Sequence, residues 1–159
     1  MDRIRLDGCS LTIEDLVRVA RNGAAVELDE DAAARMRASR TVVERCVDRE
    51  LVRYGITTGF GKFCNVVISK EENSILQKNL IMSHACGQGE PLSKEVVRAR
   101  MALRANALAV GNSGIRPSTV RLLLDMLNAD ITPVVPEKGS LGSSGDLAPL
   151  AHMALVMIG

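Results

Sequence analysis

The chain has 159 residues and a net charge of +1, and 47% of it is hydrophobic while only 2% is aromatic. That is one domain's length and enough to bury a core, and a near-neutral charge offers no footing for nucleic acid or an anionic membrane. A core of Leu, Val, Ile, Met and Ala favours helices, so the expectation is a mainly α fold: a helical domain over 1–159 with a Gly-rich loop and minor short strands.

No apolar run reaches transmembrane length; the longest, Leu147 to Ile158, is interrupted by Pro149 and His152. The opening Asp-Arg-Ile-Arg has no apolar segment behind it, so no signal peptide is expected. Cys9, Cys46, Cys64 and Cys86 lack Cys-x-x-Cys spacing and have only His84 and His152 beside them, so no metal site is expected. Reduced thiols and a cytoplasmic location are the plain reading.

In chain order, Arg3-Ile4-Arg5-Leu6 alternates and predicts a short strand, with a turn at Asp7-Gly8. Thr12 with Asp15 is a variant capping box for a helix whose face is Leu16, Val17 and Ala20 and which ends at Gly23. Val26-Glu27-Leu28 is extended. Asp29 opens a long helix to about Leu51, with Ala32, Met36, Val43, Cys46 and Val47 on one side and a solvated charged face on the other.

Three glycines between Gly55 and Gly61 then exclude helix or packed strand. The Tyr54–Phe63 loop carries the chain's one tyrosine, which makes it a candidate lid through Thr57, Thr58, Gly59, Phe60 and Gly61. It lacks phosphate-loop spacing. Ser69 with Glu72 reads as a capping box for a helix through Ile75, Leu76, Leu80 and Ile81 to Ser83-His84, stopped by Gly87. His84 lies in its last turn, where a hydrogen-bonding ring is favoured. Ser93 caps the next helix, which runs to Gly111 and is apolar over a broad face of Val96, Val97, Met101, Leu103, Ala107 and Leu108. Ser118 to Leu127 forms another helix with Leu122, Leu123 and Met126 inward, and Asn128 to Lys138, with its prolines, is extended.

The chain then enters Gly139-Ser140-Leu141-Gly142-Ser143-Ser144-Gly145-Asp146-Leu147-Ala148-Pro149-Leu150-Ala151-His152. Gly142 and Gly145 permit a tight irregular backbone. Asp146 reads as an N-cap and Pro149 sits in a tolerated first turn, with Leu150, Ala154, Leu155 and Ile158 at helical spacing. A strained Ser-Ser-Gly thus lies at the positive end of a helix. One chemistry suits that arrangement. The Gly145 amide nitrogen attacks the Ser143 carbonyl, closing a five-membered ring, and loss of water from Ser144 leaves an exocyclic methylene. The product is an electrophile made by the protein itself.

The run Gly139–His152 closely resembles the signature of the aromatic amino acid ammonia-lyases, the histidine ammonia-lyases in particular. In that family an Ala-Ser-Gly triplet becomes 4-methylideneimidazol-5-one (MIO), which implies here an electrophile from Ser143, Ser144 and Gly145 and no external cofactor. Ser143 stands where the family usually has Ala, and lends only backbone to the ring. Asp146 is implied to order the turn for ring formation. Tyr54-Gly-Ile-Thr-Thr-Gly-Phe-Gly-Lys62 resembles the family's second signature, whose tyrosine is the catalytic base, a role Tyr54 inherits. Asn79–Gly87 resembles the substrate-contacting segment. Its Ser83-His84 pair looks like histidine lyases, whereas phenylalanine lyases typically carry Phe-Leu and tyrosine lyases His-Leu; some tyrosine aminomutases also carry Ser-His. His152 is read as structural.

The resemblance implies non-oxidative deamination of L-histidine, a small-molecule amino acid substrate, to trans-urocanate and ammonia. It also implies a homotetramer in the full-length enzyme, with sites built from several subunits. It covers only the N-terminal part of those enzymes, and the chain ends in apolar Val156-Met157-Ile158-Gly159, so a fragment is expected. Two alternatives stay open: a tyrosine ammonia-lyase or aminomutase on the same electrophile, or a helical fragment that binds partner chains and catalyses nothing.

Overall fold

The structure, a computed structural model, describes residues 3–159, with the side chains of 70–74 excepted. In chain order the elements are β1 (Ile4–Leu6), α1 (Ile13–Asn22), β2 (Val26–Leu28), α2 (Glu30–Asp48), a 3-10 turn (Gly61–Phe63), α3 (Lys70–His84), β3 (Gln88–Pro91), α4 (Lys94–Ala109), α5 (Pro117–Asn128), β4 (Pro136–Lys138) and α6 (Leu147–Ile158). The mainly helical expectation holds.

Local chemistry sets the first half. Thr12 Oγ1 accepts from the Asp15 amide at 3.1 Å, and Gly23 closes α1 in the left-handed region at φ 65°. Asp29 caps α2 by accepting from the Ala32 amide at 3.0 Å. β1 and β2 pair in parallel, Ile4 opposite Val26 and Leu6 opposite Leu28. The Asn128 side chain extends that pair as a third strand would, accepting from the Val26 amide at 2.9 Å and donating to the Val26 carbonyl at 3.0 Å.

The core gathers around α4, whose Val97, Met101, Ala102, Ala105, Leu108 and Ala109 are buried against α1, α2 and α5. Arg98 is buried with them at 3% exposure. It is fully engaged: Nε and Nη2 donate to the Val19 carbonyl at 3.1 and 3.0 Å, and Nη1 donates to the Leu127 carbonyl at 3.0 Å and to Asp130 Oδ1 at 3.0 Å. One guanidinium therefore ties the C-terminal ends of α1 and α5 to α4, where helix dipoles favour a cation.

Several expectations need correction. α2 stops at Asp48, because Glu50 turns left-handed at φ 51° and the Leu51 amide folds back onto the Cys46 carbonyl at 2.9 Å. On α1 the buried residue is Val19, while Val17 is exposed. On α4 the apolar face is narrower than expected, since Val96, Leu103 and Ala107 are exposed. Leu122 also faces outward while Leu123 and Met126 are buried. Asn128 ends α5, so only Pro136–Lys138 of the following stretch is a strand. Ser93 adopts cap geometry without a side-chain cap bond. The Ser69–Glu72 capping box rests on a side chain outside the described residues.

β3, unforeseen from sequence, pairs antiparallel with β4 in the register Gln88–Lys138 and Pro91–Pro136. This ladder brings the end of α3 beside the entrance of the Ser-Ser-Gly turn. α3 also packs on α6.

No helix among the described residues is long and apolar enough to cross a membrane. The four cysteines are free thiols, and no group of three or more His, Cys, Asp or Glu converges among the described residues.

Candidate active site

The turn after β4 is built by glycines and one serine. Gly139, Gly142 and Gly145 have φ of 140°, 89° and 72°, a region that side chains resist. At Gly145 a Cβ would also lie 2.5 Å from Ser140 Oγ. That hydroxyl is in place because it donates to the Gly145 carbonyl at 2.8 Å, closing the loop over the intervening residues. Ser143 and Ser144 are exposed at its crest. Sequence reasoning gave Ser140 no role, since a serine five positions before a glycine matches no local pattern.

Asp146 departs from expectation. Its backbone is helical at φ −92° and ψ −23°, and its side chain makes no cap bond. Instead its amide donates to Ser144 Oγ at 3.3 Å, so Asp146 orders the turn through backbone rather than carboxylate. α6 then starts with the Leu150 amide bonded to the Asp146 carbonyl. Ala148, Pro149, Ala151 and Met153 are its buried residues, not the expected stripe of Leu150, Ala154, Leu155 and Ile158.

At the end of α3, His84 Nδ1 lies 2.8 Å from the Leu80 carbonyl. A carbonyl only accepts, so Nδ1 carries the proton and the neutral ring has its acceptor at Nε2. Ser83 Oγ donates to the same carbonyl at 2.9 Å and lies 3.1 Å from His84 Nδ1. Both side chains lean on one backbone oxygen, which fixes the imidazole. Beyond it, the Gly87 amide donates to His152 Nε2 at 2.9 Å, joining the α3 end to α6.

The Gly-rich loop is tied down from within. Thr57 and Thr58 are buried at 6% and 3% exposure. Thr57 Oγ1 accepts from the Arg53 amide at 2.9 Å and donates to the Leu51 carbonyl at 2.6 Å. Thr58 Oγ1 accepts from the Gly55 amide at 3.3 Å and donates to the Gly59 carbonyl at 3.0 Å. Gly59 is bonded to Val66 and is packed so that a Cβ would lie 2.6 Å from that of Phe63. These threonines are the loop's frame, and Gly61 turns left-handed at φ 57° into the 3-10 turn. Tyr54 is 65% exposed, its ring packed edge-on to Phe60 with centroids 5.8 Å apart.

The structure brings the Gly87 exit of α3 beside Gly139, the entrance of the Ser143–Gly145 turn. Among the described residues no hydrogen bond or ring contact joins Tyr54, the Ser83-His84 pair and the triplet to one another. The adjoining Gly55 and Ile56 face α2, α3 and Ile158 across an open cavity of about 1000 Å³.

The sequence model of a family described as aromatic amino acid lyase matches residues 11–159. Over all 159 residues the chain is 62% identical to the histidine ammonia-lyase of Caldanaerobacter subterraneus subsp. tengcongensis, of which it covers 31%. The structure matches histidine ammonia-lyase from Trypanosoma cruzi with a TM-score of 0.88 at 42% identity, over 99% of this chain and 30% of that one. It matches tyrosine aminomutase from Streptomyces globisporus with a TM-score of 0.91 at 37% identity, over 99% and 30%. The chain thus spans 31% of the length of the curated relatives it matches.

Proposed function

Because this chain belongs to the aromatic amino acid lyase family, we propose that it is part of a histidine ammonia-lyase. That enzyme removes ammonia from L-histidine to give trans-urocanate, in the cytoplasm and as a homotetramer. The observation that carries the reading is the Ser143-Ser144-Gly145 turn. Gly145 is left-handed, its carbonyl is held by Ser140 Oγ at 2.8 Å, and the Ser144 oxygen receives the Asp146 amide at 3.3 Å. That fits the demands of cyclisation. The Gly145 nitrogen must reach the Ser143 carbonyl carbon, a bend that a Cβ would crowd, and the carbonyl oxygen leaves as the first water; the Ser144 oxygen must leave as the second, which a donor at that oxygen favours.

Once formed, MIO supplies an electron-accepting methylene that no side chain offers. The remaining work falls to the chain's own groups. Tyr54 takes the substrate's β-proton on its phenolic oxygen once the rest of the enzyme closes the site, with Thr57, Thr58, Gly59, Phe60 and Gly61 carrying it as a lid. His84, with Nδ1 given to the Leu80 carbonyl, presents Nε2 as an acceptor for the N–H of a substrate imidazole. Ser83 supports that orientation. The N-terminal end of α6 stabilises negative charge developing beside the turn.

A second reading, tyrosine aminomutase, is favoured by the match at TM-score 0.91. The product separates these readings: a histidine lyase yields urocanate, a tyrosine ammonia-lyase on the same electrophile yields coumarate, which absorbs differently, and an aminomutase yields a β-amino acid. The test is the intact mass of the full-length enzyme with its Ser143→Ala and Ser144→Ala variants. The wild type and Ser143→Ala should weigh two waters less than sequence and turn over histidine. Ser144→Ala should lose activity, having no hydroxyl to leave. Full mass in the wild type, or equal loss of activity in both variants, refutes the assignment.

A further inference from the structure

His152 is the only histidine outside the substrate-side pair, and the proposed reaction gives it no part. Its surroundings are specific. Nε2 accepts from the Gly87 amide at 2.9 Å across 65 positions of sequence, so Nε2 bears no proton and the neutral ring is protonated on Nδ1. Gly87 has no room for a side chain: a Cβ there would lie 2.9 Å from His152 Nε2 and 3.1 Å from Cβ and Cγ of Pro136. At the neighbouring Gly139, a Cβ would lie 3.1 Å from Gly87 Cα and 3.4 Å from Ala148 Cβ. Ala148 and His152 are one helical turn apart and share a face of α6.

Four segments therefore meet at one corner: the α3 exit at Gly87, β4 at Pro136, the entrance of the electrophile turn at Gly139, and α6. The β3–β4 ladder begins immediately beyond it, with Gln88 opposite Lys138. His84, the last residue of α3, stands four residues before Gln88 of β3, and Ser143, in the turn after β4, stands five after Lys138. The separation of His84 from the triplet is therefore set where the ladder opens. There the ladder itself contributes no further pairing, and the His152–Gly87 bond fastens the α3 side to the helix that follows the triplet.

We propose that His152 is a positioning residue: its Nε2 acceptor locks Gly87, and through it His84, in register with the Ser143–Gly145 turn. This rests on the ammonia-lyase reading above. The effect falls on alignment more than on binding. Without the lock, substrate still meets His84, but its carbon skeleton is misplaced against the electrophile. A displacement of about 1 Å is enough to cost on the order of 100-fold in rate. The turn itself keeps its shape, because the Ser140–Gly145 bond is internal to it.

The test uses the full-length enzyme with His152→Leu, which fills space without an acceptor, and His152→Gln, whose Oε1 can replace Nε2. Intact mass, kcat and KM for L-histidine are measured on each. The expected result is a two-water deficit in all three proteins. In His152→Leu, kcat should fall at least about tenfold with KM within about threefold, and in His152→Gln kcat should recover to within about threefold. Wild-type kcat in the Leu variant overturns the proposal, as does an effect confined to a raised KM, a Gln variant as slow as Leu, or loss of the mass deficit in the Leu variant. If the Leu protein does not fold, the Gln variant decides alone: near wild-type kcat sustains the acceptor role and a large fall refutes it. A wild-type enzyme at full mass is a different failure, because it removes the electrophile and with it the reading on which the proposal stands.

Discussion

Replacing Arg98 by Met tests whether helix ends or an ion pair hold the core together. Arg98 is 3% exposed, and two of its nitrogens converge on the Val19 carbonyl. Among the described residues the helix-end amides do not take that carbonyl, since those of Gly23 and Ala24 both go to Arg18. The Leu127 carbonyl, by contrast, keeps the Ala129 and Asp130 amides when the guanidinium is gone. Asp130 is 62% exposed and keeps Lys94 at 2.5 Å, so water screens its share of the pair. The main loss is one buried acceptor stripped of its donors, about 1–3 kcal/mol, with the methionine stem retaining most of the packing. We expect Arg98→Met to lower stability by about 2–3 kcal/mol, as a shift of the urea midpoint by roughly 1–2 M at unchanged slope. Far-ultraviolet circular dichroism reads it on this chain. Asp130→Asn should move the midpoint far less. If the two substitutions cost the same, the ion pair carries the energy and the helix-end account fails.

Acid should destabilise the chain through two carboxylates. Hydrogen bonding by Lys94 holds Asp130 below its usual range, and the Cys9 and Ser10 amides do the same for Asp7. Both groups stabilise the folded state above the ordinary carboxylate range and lose that contribution as pH falls through their lowered values; Asp7→Asn with Asp130→Asn should flatten the acid limb of midpoint against pH, and an unchanged limb would refute this. In the full-length enzyme His84→Leu removes the Nε2 acceptor, so kcat/KM for histidine should fall about 10- to 100-fold. Unchanged turnover would leave His84 as a helix terminator. The isolated chain should self-associate and lack activity, because Leu103, Leu122, Val134 and Leu147 are exposed and apolar patches seek cover; a monodisperse, fully active monomer would contradict it.

The parts of the fold legible in the sequence are those decided locally. Thr12, Gly23 and Asp29 act on residues within a few positions, so cap chemistry alone placed α1 and the start of α2. What was missed depends on partners far along the chain. β3 reads Gln-Gly-Glu-Pro, exposed throughout with no apolar alternation, and exists because Pro136–Lys138 arrives beside it. α6 is apolar nearly all round, and periodicity cannot choose a face when every face qualifies. The helical spacing of Leu150, Ala154, Leu155 and Ile158 was one choice among several; tertiary packing buries Ala148, Ala151 and Met153 most deeply, with Leu150 partly buried against the core.

The site divides in the same way. Its chemistry was legible as composition: glycines where a side chain would collide, serines at the crest, a histidine in a last turn. Its geometry was not, because Ser140 reaches Gly145 and His152 reaches Gly87 through contacts that no residue pattern announces. The Asp146 misreading shows why. An aspartate before an apolar run is a good cap on average, but here the Asp146 amide is taken by Ser144, two residues back. The same bond that makes Asp146 a poor example of a cap puts a donor on the Ser144 oxygen, one of the two that the proposed ring formation expels as water. On the proposed reading, a local rule fails at the position where the turn serves ring formation, as expected where chemistry rather than stability sets the backbone.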